Sequence, residues 1–189
     1  MKQIQGGITA AKGFQAAGVE AAIKYRNRKD MALIYSQVPC TAAGTFTTNV
    51  VKAAPVLWDQ RIVRESPYVQ AVVVNSGIAN ACTGKEGLDC CAAESRCAGE
   101  LLGIPADSVL VASTGVIGMQ IPVDKITAGI GRLTAAKSDS PEAGTDAAKA
   151  IMTTDTVEKQ IAVTFEISGK TVTLGGMCKG SGMMHPNMC

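Results

Sequence analysis

Three glycine-rich segments that also carry hydroxyl, amide or amino groups are the parts of this sequence best suited to chemistry. They span residues 75–80 (NSGIAN), 112–118 (ASTGVIG) and 175–182 (GGMCKGSG). Glycine lets the backbone approach a ligand closely and turn its N–H groups toward an anion or an oxyanion. Each segment follows an apolar run that reads as a strand. The sequence therefore predicts three turns at strand ends, where mixed sheets tend to place sites.

Known nucleophile and phosphate motifs do not fit these segments. The order Lys179, Gly180, Ser181 differs from the Gly-Lys-Ser/Thr of a P-loop, and no helical pattern follows it. The same residues lack the G-x-S-x-G spacing of a nucleophile elbow. The single histidine, His185, has no identifiable paired acid, which argues against a Ser-His-Asp triad.

Cysteine usage argues against disulfides and metal. Seven cysteines make an odd count without framework spacing, so we expect reduced thiols. Cys178, His185 and Cys189 form a C-x6-H-x3-C cluster, but it lacks a fourth ligand and the spacing of closed zinc sites. We therefore expect neither a metal nor another cofactor. A further set falls at helical spacing and reads as small buried side chains of one helix: Cys90, Ala93, Cys97 and Leu101.

One acidic residue stands apart from the otherwise scattered carboxylates. Asp155 lies among three threonines in residues 152–156 (MTTDT). These side chains either cap and brace the local backbone or present hydroxyls to a polar substrate. The residue types alone leave both interpretations open.

Length and composition bound the class of protein. A chain of 189 residues with 47% hydrophobic residues and a mean hydropathy of +0.17 can bury a core, which excludes disorder. A net charge of +2 is too weak to make nucleic acid or an anionic membrane the natural partner. No run approaches the roughly 18–20 apolar residues of a membrane span, and the N-terminus lacks a signal peptide's apolar stretch. We expect a cytoplasmic protein.

Apolar runs and helical patterns alternate along the chain, which favours one mixed α and β domain over residues 1–189. Gly103 and Pro105 follow the cysteine-bearing helix as stop signals, and Pro122 precedes a second helix. The patterns predict strands at 31–35, 68–75 and 108–112, helices at 86–102, 123–133 and 145–152, a polar loop at 137–144, and a hairpin over 161–174.

Six ordered motifs run through essentially the whole chain. They are residues 6–19, 41–56, 72–84, 109–118, 150–156 and 175–188. Through them the sequence resembles the ornithine acetyltransferase family, also called glutamate N-acetyltransferases or ArgJ proteins. The resemblance implies an α+β fold, a layered sandwich of the ArgJ and DmpA-like type with sheets packed between helices.

The resemblance also implies that this is the α chain of a precursor that cleaves itself after Cys189. The threonine that begins the β chain would attack the Cys189 carbonyl and then serve as the catalytic nucleophile. Such a chain is inactive without its β chain, and two α and two β chains form the implied heterotetramer. Thr114 and Gly115 are implied as the oxyanion hole, and Thr153 and Lys179 as substrate-binding residues.

The implied reaction is a double displacement that moves acetyl from N-acetylornithine to glutamate in arginine biosynthesis. Acetyl-coenzyme A as a second donor stays open. Three other functions also stay open: a related self-processing amidase or aminopeptidase, a non-catalytic scaffold subunit, and a nucleotide-binding domain. One position departs from the family, because Ile78 replaces a frequent asparagine and argues against a polar role there, while Asn75 and Asn80 still match.

Overall fold

The computed structural model describes all 189 residues, which form seven strands and four α-helices. The strands are β1 (Lys2–Ile4), β2 (Phe14–Val19), β3 (Met31–Cys40), β4 (Val69–Ile78), β5 (Val109–Val116), β6 (Lys159–Ile167) and β7 (Lys170–Cys178). The helices are α1 (Ala54–Glu65), α2 (Gly84–Leu102), α3 (Val123–Ala136) and α4 (Pro141–Ala150). Short 3₁₀ turns lie at Ile8–Ala10 and Ala106–Ser108.

Two sheets organise the molecule. The larger has the order β2-β3-β4-β5, and only its β4–β5 pair is parallel. Parallel neighbours need a long crossover, and here it includes the helix α2. The smaller sheet has the order β1-β6-β7 and is antiparallel throughout.

Both faces of the larger sheet are covered, because successive side chains of a strand point to opposite faces. Leu33 and Val73 face the main core, which the side chains of α2 and α3 complete. Ala32, on the opposite face, packs against Ala147 and Ala150 of α4. Met177 of β7 packs against the same cluster. The sheet therefore lies between layers, which confirms the predicted layered α+β class.

Several predicted elements are confirmed with extended bounds. The three predicted strands, the two longer helices and the C-terminal hairpin are all present. The predicted loop at 137–144 is too long, because α4 begins at Pro141, where the Ser140 hydroxyl caps the backbone N–H of Ala143 at 3.1 Å. That helix also ends at Ala150, two residues before the predicted end. The strands β1 and β2 and the helix α1 were not predicted.

The structure corrects the predicted turns, because each strand extends into the glycine segment that was expected to follow it: β4 ends at Ile78, β5 at Val116 and β7 at Cys178. Gly77 therefore lies opposite Gly115 in the parallel ladder. Gly115 has a φ of 141°, and a Cβ on it would overlap the backbone of Gly77. Glycine is therefore required where the two strands approach. The prediction that Cys90, Ala93, Cys97 and Leu101 are all buried on one helix is only partly correct. Cys90 is buried, whereas Leu101 is 50% exposed.

Candidate active site

A pocket of about 500 Å³ lies where the ends of β4 and β5 meet the segments after α4 and β7. All four residues implied as oxyanion and substrate contacts line it: Thr114, Gly115, Thr153 and Lys179. Other lining residues are Lys24, Tyr25, Gly77, Val116, Thr154, Gly180, Ser181, Gly182, Met183 and Met184. Five separate parts of the chain therefore meet at one cavity.

Thr114 and Gly115 form one wall of this pocket. They lie near the end of β5, the edge strand of the larger sheet, where Gly115 is exposed and Thr114 is partly buried. A hydroxyl and a glycine backbone thus stand next to each other at the cavity. These are the kinds of donor groups that can stabilise a developing oxyanion.

Lys179 lies on a wall that Asp155 holds in place. The Lys179 Nζ atom is 3.5 Å from Asp155 Oδ2 and donates to the Gly180 carbonyl at 2.9 Å. Asp155 also accepts from the backbone N–H groups of Gly180 at 2.6 Å and Thr153 at 3.3 Å. Of the two interpretations of residues 152–156, backbone bracing is confirmed for Asp155, while the neighbouring threonines line the pocket.

Hydrogen bonds, with help from a nearby positive charge, keep Asp155 ionised. A hydrogen bond from Lys159 at 2.9 Å, followed by the backbone N–H donors and the charge of Lys179, holds the pKa of this carboxyl well below its usual range, against the opposing effect of burial. The Lys179 ammonium therefore lies beside a carboxylate and faces a cavity. Such a cation suits the carboxylate of an amino-acid substrate.

Sequence reasoning missed Lys24 and Tyr25, which form a further wall of the pocket. They follow a turn that the buried Asp30 fixes, because its two carboxylate oxygens accept from the backbone N–H groups of Ala21 at 2.6 Å and Ile23 at 2.7 Å. The Lys24 ammonium lies 4.9 Å from the Tyr25 ring centroid. A hydrogen bond and the positive charge of Lys24 lower the pKa of Tyr25. The basic run 24–29 (KYRNRK) was the available signal.

The remaining matched positions around the first glycine segment have structural roles. Asn75 donates to the Ile78 carbonyl at 3.0 Å, and Asn80 donates to the Gly87 carbonyl at 3.0 Å, both inside the protein. The Ile78 side chain is buried in the main core. An apolar side chain at position 78 is therefore explained by packing.

Cys189 lies outside the pocket, on a short ladder. Its backbone N–H donates to the Phe46 carbonyl at 3.1 Å, and its carbonyl accepts from the Phe46 N–H at 3.0 Å. Met188 and Thr47 form a bridge beside it. All seven cysteines are free, and no three His, Cys, Asp or Glu side chains are grouped to hold a metal ion.

A partly buried carboxyl, Asp59 of α1, and a fully buried one, Glu94 of α2, lie away from this pocket. Burial raises the pKa of Asp59 to about 7, against the hydrogen bond that its carboxylate accepts from the Val111 N–H at 3.0 Å. Burial and the nearby Asp59 raise the pKa of Glu94 to about 8, and Glu94 is 1% exposed. Asp59 also lines a second cavity of about 650 Å³ with Ser113 and His185.

None of the helices combines the length and the apolar character needed to cross a bilayer. The class of protein is defined by the layered α+β fold and by one pocket that is lined by a threonine, a glycine backbone and a lysine. Residues 15–189 match the model of the ArgJ family, and the chain belongs to that family. The family resemblance of the six motifs is thereby confirmed.

Named relatives agree with this membership. The chain is 55% identical over 190 residues to the arginine biosynthesis bifunctional protein ArgJ of Symbiobacterium thermophilum, covering 100% of this chain and 46% of that protein. The chain thus spans about half the length of the curated relatives it matches.

Two solved structures have the same fold. The ArgJ structure from Bacillus halodurans is 45% identical with a TM-score of 0.94, and the match covers 99% of this chain and 97% of that one. The ornithine acetyltransferase structure from Mycobacterium tuberculosis, complexed with ornithine, is 41% identical with a TM-score of 0.93, and the match covers 100% and 99% of the two chains.

Proposed function

We propose that the chain is the α chain of an acetyltransferase that moves acetyl from N-acetylornithine to glutamate. The observation that carries the proposal is the meeting of Thr114, Gly115, Thr153 and Lys179 at one pocket. The adjacent pair Thr114 and Gly115 is separated from Thr153, and Thr153 from Lys179, by tens of positions in the sequence. The fold brings these three parts of the chain together. The ornithine bound in the Mycobacterium tuberculosis relative supports an amino-acid substrate.

In the proposed mechanism a threonine hydroxyl of a β chain attacks the acetyl carbonyl of N-acetylornithine. The hydroxyl of Thr114 and the backbone N–H of Gly115 stabilise the resulting oxyanion, which a single donor can do by about 3–4 kcal/mol. Ornithine leaves, and the amino group of glutamate then attacks the acetyl ester. Lys179 pairs with the carboxylate of the amino acid, while the Thr153 hydroxyl contacts its polar part. No cofactor takes part.

A partner chain is part of this proposal. The curated relatives are about twice as long as this chain, whereas the matched chains of the two solved structures have nearly its length. Met183, Met184 and Leu174 are between 61% and 85% exposed, which offers apolar surface for a partner. We propose a β chain from the same precursor, an α2β2 assembly and a location in the cytoplasm.

The peptide bond following Cys189 is the proposed cleavage site. The Phe46 N–H fixes the Cys189 carbonyl by a 3.0 Å hydrogen bond, which orients the carbon that a following threonine hydroxyl would attack. The relatives are named bifunctional, which supports a second activity. We propose N-acetylglutamate synthesis from acetyl-coenzyme A for that activity.

The test is to express the full-length precursor and the 189-residue chain separately. The precursor should yield two chains, the second beginning with threonine, and should transfer acetyl from N-acetylornithine to glutamate. The short chain alone should be inactive, so full activity of that chain would contradict the proposal. Peptide hydrolysis without acetyl transfer would identify an amidase or aminopeptidase. Stabilisation by nucleotides would identify a nucleotide-binding domain.

A further inference from the structure

Asp155 is a charged residue that lies behind the pocket rather than in it. Its side chain is 3% exposed, and it is absent from the residues that line the cavity. A buried carboxylate is costly unless several donors satisfy it. Asp155 accepts three hydrogen bonds, from the Thr153 and Gly180 N–H groups and the Lys159 ammonium, and forms an ion pair with Lys179. Of these four partners, all but Lys159 line the pocket.

These contacts join two segments that the backbone leaves unconnected. The ladder between β6 and β7 ends at the pair Lys159 and Cys178, just before the pocket. Beyond it, no backbone hydrogen bond connects residues 153–158 with residues 179–184. The Asp155 carboxylate supplies the link, because it accepts from the Thr153 N–H at 3.3 Å on one side and from the Gly180 N–H at 2.6 Å on the other.

The same carboxylate directs the Lys179 ammonium. Oδ2 lies 3.5 Å from Lys179 Nζ, and the Gly180 carbonyl accepts from that nitrogen at 2.9 Å. The Lys179 ammonium therefore has two contacts, the Asp155 carboxylate and the Gly180 carbonyl. Asp155 also fixes Gly180, by accepting from its N–H. Gly180 is needed for this approach, since a Cβ there would overlap Asp155 Oδ1.

We infer that Asp155 is a positioning residue for the substrate site, which sets the separation of the Thr153 and Lys179 walls and the direction of the lysine ammonium. The inference rests on the proposed function, because it assigns a role in binding the substrate of that site. Asp155 acts through Thr153, Lys179 and Gly180 and does not touch the substrate. Its loss should therefore weaken substrate binding more than it slows the chemical step.

The experiment replaces Asp155 in the full-length, self-cleaved protein. Asp155→Asn keeps the shape of the side chain but removes the charge that holds Lys179 and Lys159. We expect the KM for N-acetylornithine and the Kd for ornithine, measured by calorimetry, to rise about 10- to 100-fold. We expect kcat to change by less than about threefold.

Lys170→Met is the control, because Lys170 lies at an exposed position of the same hairpin and does not line the pocket. It should leave KM and kcat within about twofold of the parent. Gly180→Ala is the second variant, since it displaces the carboxylate without removing it. It should raise KM in the manner of Asp155→Asn.

The outcomes separate the inference from the proposed function. An unaltered protein that transfers no acetyl contradicts the proposed function. An active parent whose Asp155→Asn variant keeps its KM and its ornithine Kd, even with a lower melting temperature, overturns the inference. Where Asp155→Asn does not fold, Gly180→Ala decides, and unchanged kinetics in that variant overturn the inference as well.

Discussion

At the scale of single residues, two adjacent hydroxyl-bearing residues of β5 line different cavities. Thr114 lines the 500 Å³ pocket, whereas Ser113, one residue earlier on the same strand, lines the separate 650 Å³ cavity. Because side chains alternate along a strand, adjacent hydroxyls point to opposite faces. Only one of them can therefore contribute to the proposed oxyanion hole.

Thr114→Ala should lower kcat by about 10², the loss expected when one oxyanion donor is removed. Steady-state kinetics of acetyl transfer measures this effect, and the extent of precursor cleavage on a gel tests whether the same donor assists processing. Ser113→Ala is the control on the opposite face and should keep kcat near the parent value. Unchanged turnover and cleavage in Thr114→Ala would remove the threonine from the mechanism.

Lys179→Ala should lower kcat/KM for N-acetylornithine with the fold intact, because it removes the cation proposed to pair with the substrate carboxylate. Initial rates at low substrate concentration measure it, and circular dichroism checks the fold. Lys170→Ala, at an exposed position of the hairpin, is the charge-matched control. An unaltered specificity constant would show that Lys179 is merely a surface cation.

At the scale of elements, the contact between β4 and β5 places the pocket. Gly77 and Gly115 lie opposite each other, and the absence of side chains lets the two strands run together to the cavity. The end of α4 also positions part of the pocket, because residues 153 and 154, which line it, follow closely after Ala150. Ser140 followed by Pro141 was a readable signal for the start of that helix, since serine is favoured as an N-cap and proline at the first helical position.

Gly115→Ala should lower the free energy of unfolding by about 1–3 kcal/mol or more, because a side chain there is strained at φ 141° and overlaps the Gly77 backbone. Chemical denaturation of the purified protein measures the change. Gly131→Ala is the control, since a Cβ at that position in α3 meets open space. It should stabilise the helix by up to about 1 kcal/mol. Equal stability of the two variants would contradict the packing argument.

At the scale of the whole molecule, two carboxyls that the proposed reaction does not use are removed from water, Asp59 in part and Glu94 fully. Asp59 and Glu94 bind protons more tightly in the folded protein than in the unfolded chain, because burial raises their pKa values to about 7 and about 8. Their contribution to stability is complete below the ordinary carboxyl pKa. It is lost as the pH rises through the raised values.

The free energy of unfolding should therefore fall as the pH rises from about 4 to about 8, by an amount on the order of 1 kcal/mol or more. Urea denaturation across this range measures the slope. Glu94→Gln should flatten it, since the amide does not titrate. Glu100→Gln, at an exposed position on the same helix, should leave the slope unchanged. A free energy of unfolding that does not change with pH in the parent would contradict the raised pKa values of Asp59 and Glu94.

The sequence by itself determined the regular elements with strong local periodicity and, through its ordered motifs, the family. The strands at β3, β4 and β5, the helices α2 and α3, and the hairpin all depend on patterns within a dozen or so residues, which a single segment contains. The family motifs likewise pointed to Thr114, Gly115, Thr153 and Lys179, which the fold places around one pocket. The short strands β1 and β2 were not predicted, and neither was α1, although its first-turn Pro55 and its amphipathic pattern were local signals.

Only the tertiary structure decided which distant residues act together. It brought Lys24 and Tyr25 to the pocket, linked Asp155 to the Gly180 N–H, and placed Asp59 near Glu94. Such contacts depend on how strands and helices stack, and the energy of burying a charge depends on every neighbour that surrounds it. No local pattern in the chain records these distances, so the three-dimensional fold alone could set them.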